Sequence, residues 1–478
     1  MSGRAGRDVV ERIYVTGKLV LETPAHFGSG DAEGLTDMPL LRDPLENRQP
    51  LLTGASIAGA LRNYVHEYQH GYGSPGTPGD LADQLFGRVE GQASYQSWLY
   101  VDDALGQSTG VELRDGVAID PRTRTAEEKK KYDTELLEAG TTFPLAFELL
   151  LPVQEKPNPN SDLLKEALAL ALHGLQSGEI GLGLRKRRGL GQCRVDEWRV
   201  RRYRLTTPAG VIGWLADDRS TEASGKDVFQ LLGVTPRVKD ARATFTIEAT
   251  FQLTSSLLIR SGSGGADAPD MVHLRSRRGA DLRPILSGTS LAGAVRGRAL
   301  RIANTLLGRD TGKGLVDGMF GKRIETADDK PTGSRVVTKE SELTGTRDWV
   351  QSRVKIDRFT GGSFPAALFT QQPAFGGNEA RLPAHITIRQ PRDAEVGLLL
   401  LVLKDLWTDD LPLGGESSVG RGRLQGQYAT LTWRSGSQAK TWQLAEVDGH
   451  LEVTGDGTRD ELEGFVKALP KYRRPDEE

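Results

Sequence analysis

At 478 residues the chain is too long for one ordinary hydrophobic core and suits two domains, or three. With 37% hydrophobic and 26% charged residues and no apolar run long enough to cross a bilayer, its composition excludes a disordered chain and a helical membrane protein. A net charge of −2 argues against a nonspecific polyanion binder, and the single cysteine, Cys193, excludes a disulfide scaffold and a thiolate zinc site. The N-terminal stretch has no apolar signal core, so a cytoplasmic location and no membrane partner are expected.

In chain order, "RIYVTGKLVLETPAHFG" alternates apolar and polar residues and predicts a strand. A glycine-rich loop follows, and "PLLRDPLENRQPLLTG" predicts a hairpin with its turn at "DPLENRQ". "GASIAGALRNYVHEY" predicts a helix capped by Ser56, with Ala58, Gly59 and Ala60 small enough to pack close to a sheet. "QSWLYVDDA" and "TTFPLAFELLLP" read as strands, and "SDLLKEALALALHGLQSG" as a second amphipathic helix. "GQCRVDEWRVRRYRL" closes the series as a strand.

The same series then returns. "LLTGASIAGALR" recurs as "ILSGTSLAGAVR", "DQLFG" as "DGMFG" and "GSG" at Gly28 as "GSG" at Gly262, all at a shift of 234 residues. "GLGLRKRRGLG" parallels "LGGESSVGRG" at a shift of 231. Several motifs in one order at one spacing imply two copies of one domain, 1–205 and 243–435. Residues 206–242 read as a linker, and 436–478 as a C-terminal extension with a hairpin and a helix. Strand, helix, strands, helix, strand is the α+β ferredoxin-like order, which hosts many functions.

Three constellations in each copy could carry chemistry. The first is the late glycine loop: Gly181, Gly183, Gly189 and Gly191 with Arg185, Lys186, Arg187 and Arg188, matched by Gly414, Gly415, Gly420 and Gly422 with Arg421 and Arg423. Glycine lets backbone N–H groups approach a phosphate, and arginine adds charge. The second is the first helix. Arg62 and Arg296 stand six residues after Ser56 and Ser290, on helices otherwise rich in Ala and Gly, which suggests a phosphate contact or a surface ion pair. The third is an aspartate in the early loop. Aligning "DMPLLRD" with "DMVHLRS" matches Asp37 to Asp270 and Arg42 to Arg275, with one extra residue in the following turn of copy two. Such a carboxylate could bind a divalent ion or orient a 2′-hydroxyl, or be an ordinary loop aspartate; Asp31 and Asp267 are rivals for the role. His26 could act as a base, but copy two offers Ile259 or Arg260 there. His66 and His70 are four apart on a helix with no acidic partner in view to complete a metal motif, so packing is the expectation for them.

Taken together, "HFGSG…GLTDMPLLRDP…PLLTGASIAGALR…DQLFG…GLGLRKRRGLG" resembles the RAMP superfamily of CRISPR-associated proteins, and more narrowly the backbone subunits of type III effector complexes. Both halves carry the pattern, as in the double-RAMP subunits of the type III-D group. The resemblance implies RRM-like palms gripping a CRISPR guide RNA, with other subunits of the complex as neighbours and complementary target RNA as a partner. It implies a thumb hairpin in each copy, around "VELRDGVAIDPRTRTAEEKKKYDTELLEAG" and "VKIDRFTGGSFPAALFTQQPAFGGNEARLP". It places the family's target-cleaving aspartate at Asp37 and Asp270, with Mg2+ or Mn2+ as cofactor and attack by the adjacent 2′-hydroxyl. Two departures stand out: the lysine many members carry in the G-x-S-x-x-G-x-x-R helix is absent, and copy two reads "RSR" in place of "RDP". A non-catalytic filament subunit, a guide-precursor-processing ribonuclease and a duplicated ferredoxin-like module unrelated to nucleic acid remain as alternatives.

Overall fold

The computed structural model describes residues 8–30, 36–45, 48–90, 93–120, 123, 125–153, 159–261, 268–322 and 330–473. The chain forms two compact units, each with its own apolar core. Unit 1 holds residues 1–112, 135–186 and 191–242; unit 2 holds 113–134, 187–190 and 243–478.

In unit 1, β1 (Val9–Leu21) alternates, burying Ile13, Val15, Leu19 and Leu21. Helix α1 (Gly54–His70) buries Ile57, Leu61, Tyr64 and Val65 along one stripe, and α2 (Leu81–Phe86) follows. Along the chain come β2 (Leu99–Val101), the hairpin strands β3 (Val111–Ile119) and β4 (Ala126–Leu137), whose residues 113–134 are counted with unit 2, and then β5 (Thr142–Pro152). Helix α3 (Ser161–Gln176) and β6 (Cys193–Arg204) complete the copy. The sheet runs β6-β1-β5-β2 with antiparallel neighbours, the ferredoxin-like order.

Residues 206–242, read as a linker, are instead packed into unit 1. A helix at Pro208–Leu215 sets Trp214 Nε1 3.1 Å from the Tyr14 hydroxyl, and Arg12 lies 4.4 Å over the Trp214 ring. Ala223–Gly225 pairs with β6, and Glu166 accepts the amides of Arg237 and Val238. The short apolar piece "VIGWL" was the trace of this in the sequence, too brief to read as an element.

Unit 2 repeats the plan. It contains β7 (Ala243–Leu253), β8 (Met271–His273), α4 (Gly288–Leu307) and α5 (Arg309–Phe320). These lead to β9 (Val336–Thr338), the hairpin β10 (Gln351–Ile356) and β11 (Ser363–Gln372), and then β12 (Arg381–Arg389). Helix α6 (Asp393–Trp407) and β13 (Leu424–Ser435) follow. The sheet order is β9-β12-β7-β13, extended by β14 (Gln438–Val447) and β15 (His450–Gly455), and α7 (Arg459–Ala468) packs on α6. The fold is α+β with two ferredoxin-like halves, each with a long hairpin inserted before its third sheet strand.

Candidate functional site

Two backbone hydrogen bonds fix the early loop in each copy. The Leu41 amide donates to the Phe27 carbonyl at 2.7 Å and Leu51 donates to Leu41 at 3.1 Å; in copy two Leu274 donates to Ile259 at 2.8 Å and Ile285 to Leu274 at 3.1 Å. Asp37 and Asp270 each lie four residues before that pinned leucine, so the ladder sets them at equivalent positions. The extra residue of copy two falls between Leu274 and Ile285. Both aspartates are exposed. Asp31 and Asp267 lie outside the described residues.

Their supports differ. In copy one, Glu135 at the base of the hairpin clamps both flanks of Asp37: it accepts from the Thr36 hydroxyl and the Leu40 amide, each at 3.2 Å, and its own amide donates to Met38. In copy two, Thr370 on β11 holds the aspartate directly, its amide 2.7 Å and its hydroxyl 3.1 Å from Asp270 Oδ2. Those two hydrogen bonds, the amide's first, hold the Asp270 carboxyl below its ordinary range and keep it ionised. Asp43 is structural: it accepts from the Leu45 amide in the following turn. His26 is buried, with Nδ1 2.8 Å from the Glu135 carbonyl, so that nitrogen carries the proton and the ring packs as support rather than standing at the surface as a base. The ladder sets His26 opposite Leu258, one residue before the expected Ile259 or Arg260. Burial pushes His273, the counterpart of Leu40, down to about 4; its Nδ1 accepts from Ile259 and its Nε2 donates to Ile285.

The late glycine loops have one backbone conformation. Gly183, Arg185, Gly189 and Gly191 have φ of 84°, 55°, 86° and 69°; Gly414, Glu416, Gly420 and Gly422, at the 231-residue shift, have 77°, 60°, 86° and 75°. A short 3-10 turn sits inside each, at Lys186–Arg188 and Ser417–Val419. At Gly191 and Gly422 an added Cβ would come within 1.8 Å of the Leu182 and Leu413 carbonyl oxygens, so no other residue fits. The loops are not open rows of N–H groups, however. Leu184 and Gly191 donate to His26 and Pro24, and Gly415 and Gly422 donate to Leu258 and Ser256, tying each loop to the exit of its first strand. Gly181 packs near Gln192 and Lys186.

The basic residues separate into engaged and surface groups. Arg421 is 2% exposed and is not a surface RNA contact. It donates to Glu416 at 2.9 Å, Ser256 at 2.7 Å, Gln351 at 3.0 Å and Gln371 at 2.9 Å. Burial opposes ionisation of Glu416, yet hydrogen bonds from Gln371 and Arg421, with Arg353 3.4 Å away, hold its carboxyl below the usual value. Copy one has Leu190 where copy two has Arg421, which is why only copy two needs this polar network. Arg187 donates to the Ser334 carbonyl within unit 2, and the Arg188 carbonyl lies against Gly288. Lys186 is exposed, Arg185 half-buried, and Arg423 is paired with Asp409 at the surface.

On the first helices the capping residues are Thr53 and Ser287, three positions earlier than Ser56 and Ser290, whose amides they accept. The first residue of each helix is glycine, Gly54 and Gly288, because a Cβ there would sit 2.1 Å from the Val101 or Arg188 carbonyl oxygen. Arg62 and Arg296 pair with Asp83 and Asp317 at 2.7 and 2.8 Å. Their recurrence thus follows from an ion pair with the aspartate of "DQLFG" and "DGMFG", and the ion-pair alternative accounts for both arginines. Gly59 and Gly293 leave an exposed, side-chain-free stripe beside Ser56 and Ser290.

Residues that sequence reasoning missed are Glu135 and Thr370, whose proximity arises through the hairpins, and Asp80, which joins His66 and His70 in the one group of three potential metal ligands among the described residues.

The model of the RAMP superfamily matches residues 18–194 and 250–425, together about three quarters of the chain and one match per repeat. No curated protein matches the chain significantly. Among the described residues no helix is long and apolar enough to cross a membrane.

Proposed function

Because this chain belongs to the RAMP superfamily, which fits a type III CRISPR-associated role, we propose that it is a guide-RNA-binding backbone subunit that cleaves guide-paired target RNA at Asp37 and Asp270. The observation that carries this reading is the repeated register, which sets one exposed carboxylate at the same point of both loops, at the base of each inserted hairpin.

Mg2+ or Mn2+ is the cofactor this reading implies. Among the described residues Asp37 and Asp270 belong to no group of three potential ligands, so the chain there offers fewer than three. That fits Mg2+, which keeps several waters and binds through one or two carboxylates plus substrate phosphates. When bound, the ion supplies charge neutralisation at the phosphate under attack. The chain's own residues do the positioning. Glu135 fixes the backbone on both sides of Asp37, and Thr370 orients and ionises Asp270. Each carboxylate is thereby poised to hold the ion or to accept the 2′-hydroxyl hydrogen bond of the neighbouring ribose. The side-chain-free stripe at Gly59 and Gly293 allows a sugar–phosphate backbone to approach the helix closely, with Ser56 and Ser290 as hydrogen-bonding groups and Lys186 among the exposed cations. Guide pairing, not protein contacts, would supply sequence specificity.

The test assembles the complex on guide RNA and supplies labelled target with Mg2+. Asp37→Ala and Asp270→Ala should each remove one cleavage product and leave target binding unchanged. Survival of both cuts in the double variant would show that these aspartates are not the cleavage residues.

A further inference from the structure

The last turns of α1 carry His66 and His70 on one face, and the loop after the helix returns Asp80 to them. His66 Nδ1 and His70 Nε2 each lie 3.1 Å from the same atom, Asp80 Oδ2. The three ligand atoms fall within 4.8 Å of one another. The Asp80 side chain is 3% exposed, while those of His66 and His70 are 26% and 16% exposed. The carboxylate is fixed from behind, since its Oδ1 accepts the Asp83 amide at 2.8 Å.

Proton placement makes the cluster more than a packing contact. His66 Nε2 lies 3.0 Å from the Ser74 carbonyl, which can only accept, so this nitrogen carries the hydrogen. His66 Nδ1 is then the nitrogen left facing Asp80 Oδ2, beside His70 Nε2. A histidine that donates its outer N–H to a backbone carbonyl while its inner nitrogen faces a shared centre is the usual arrangement of a metal-bound imidazole. Tetrahedral zinc bonds of about 2.0–2.1 Å put neighbouring ligand atoms about 3.3 Å apart, close to the two observed separations.

We propose that His66, His70 and Asp80 form a zinc site with a fourth position open to solvent, and that the ion staples the segment Gly71–Gly79 to α1. Copy two provides an internal contrast. At the 234-residue shift the three positions are Leu300, Asn304 and Gly314, and α4 leads through Gly308 directly into α5, so there is no such loop to fasten. The site uses no residue of the proposed cleavage loops and requires no RNA.

The experiment uses the full chain, stripped of metal and titrated with Zn2+ against a chromophoric chelator. Co2+ is used in parallel as a spectroscopic probe. One Zn2+ per chain retained through desalting, visible Co2+ absorption of four- or five-coordinate intensity, and a raised thermal midpoint with Zn2+ are expected. His66→Gln with His70→Gln should lose all three, and its metal-free midpoint, measured alongside, separates loss of the ion from loss of the histidine hydrogen bonds to Asp80 and Ser74. A wild-type chain that binds neither ion would overturn the proposal even if the variants misfold. So would equal stoichiometry in wild type and variants. Because binding is read directly, failure of RNA cleavage does not bear on the outcome.

Discussion

Replacing Arg421 with alanine separates two roles an arginine in a glycine loop can have. Its guanidinium is 2% exposed and makes four hydrogen bonds, one to a carboxylate that is itself mostly buried. Removing one partner of such a pair leaves the other charge without compensation, which costs about 3–5 kcal/mol. Unit 2 is large enough that 1 kcal/mol moves the midpoint by about 2–4 °C, so a fall on the order of 10 °C is expected in scanning calorimetry. The effect should reach the proposed site. Gln371, a partner of Arg421, follows Thr370, whose amide and hydroxyl hold Asp270. Cleavage at the Asp270 position should therefore weaken while the Asp37 product persists. Arg421→Leu combined with Glu416→Gln should recover part of the lost stability, because the stranded carboxylate is the main cost. A surface phosphate contact predicts the opposite pattern: an unchanged midpoint, weaker RNA binding and a salt-dependence slope lower by about one. That result would refute the structural assignment.

The ion pairs of Arg62 with Asp83 and Arg296 with Asp317 are partly exposed, so double-mutant cycles on stability should give couplings of about 0.2–1 kcal/mol in each copy. His273 has its folded value depressed to about 4 against about 6.5 when unfolded, so the unfolded chain binds more protons between these values. Stability should therefore fall as the pH drops from about 6.5 to about 4, by up to roughly 3 kcal/mol from this group. Denaturant titrations of wild type and His273→Leu, the residue type copy one uses at this position, should show a shallower pH dependence in the variant. Gly59→Ala and Gly293→Ala meet open space and should stabilise their helices by up to about 1 kcal/mol, whereas glutamate at either position should weaken guide binding in a filter assay. Gly54→Ala and Gly288→Ala, which would drive a Cβ to 2.1 Å from a backbone oxygen, should sharply reduce the yield of folded protein.

What was legible in the sequence divides along one physical line. Backbone requirements write themselves into residue identity at fixed spacing. Gly191 and Gly422 tolerate no Cβ, and Gly54 and Gly288 abut a carbonyl, so the repeat could be read at shifts of 231 and 234 residues without any structure. The same constraint made the alternating first strands and the two helices of each copy visible. Side-chain partnerships across folded distance leave no such trace. Arg421 meets Ser256, Gln351 and Gln371 only because strands 165, 70 and 50 residues away converge on it, so a buried arginine reads like a surface one. Asp80 reaches His66 and His70 only after the glycine-rich loop turns back, and the histidine pair therefore looked incomplete. Arg62 lay between the two regimes. Its recurrence is plain in the sequence, and so is that of Asp83 as Asp317, within "DQLFG" and "DGMFG". Two charges that repeat together at one shift are as strong an indication of pairing with each other as of pairing with an external ligand. The aspartates of the early loops escape that objection. Neither Glu135, which holds the backbone flanking Asp37, nor Thr370, which holds Asp270, repeats in the other copy, while the exposed aspartate does. A charge that persists at one register while its supports change is the pattern expected when the requirement comes from outside the chain, and this is why the RNA proposal rests on the aspartates rather than on the more numerous arginines.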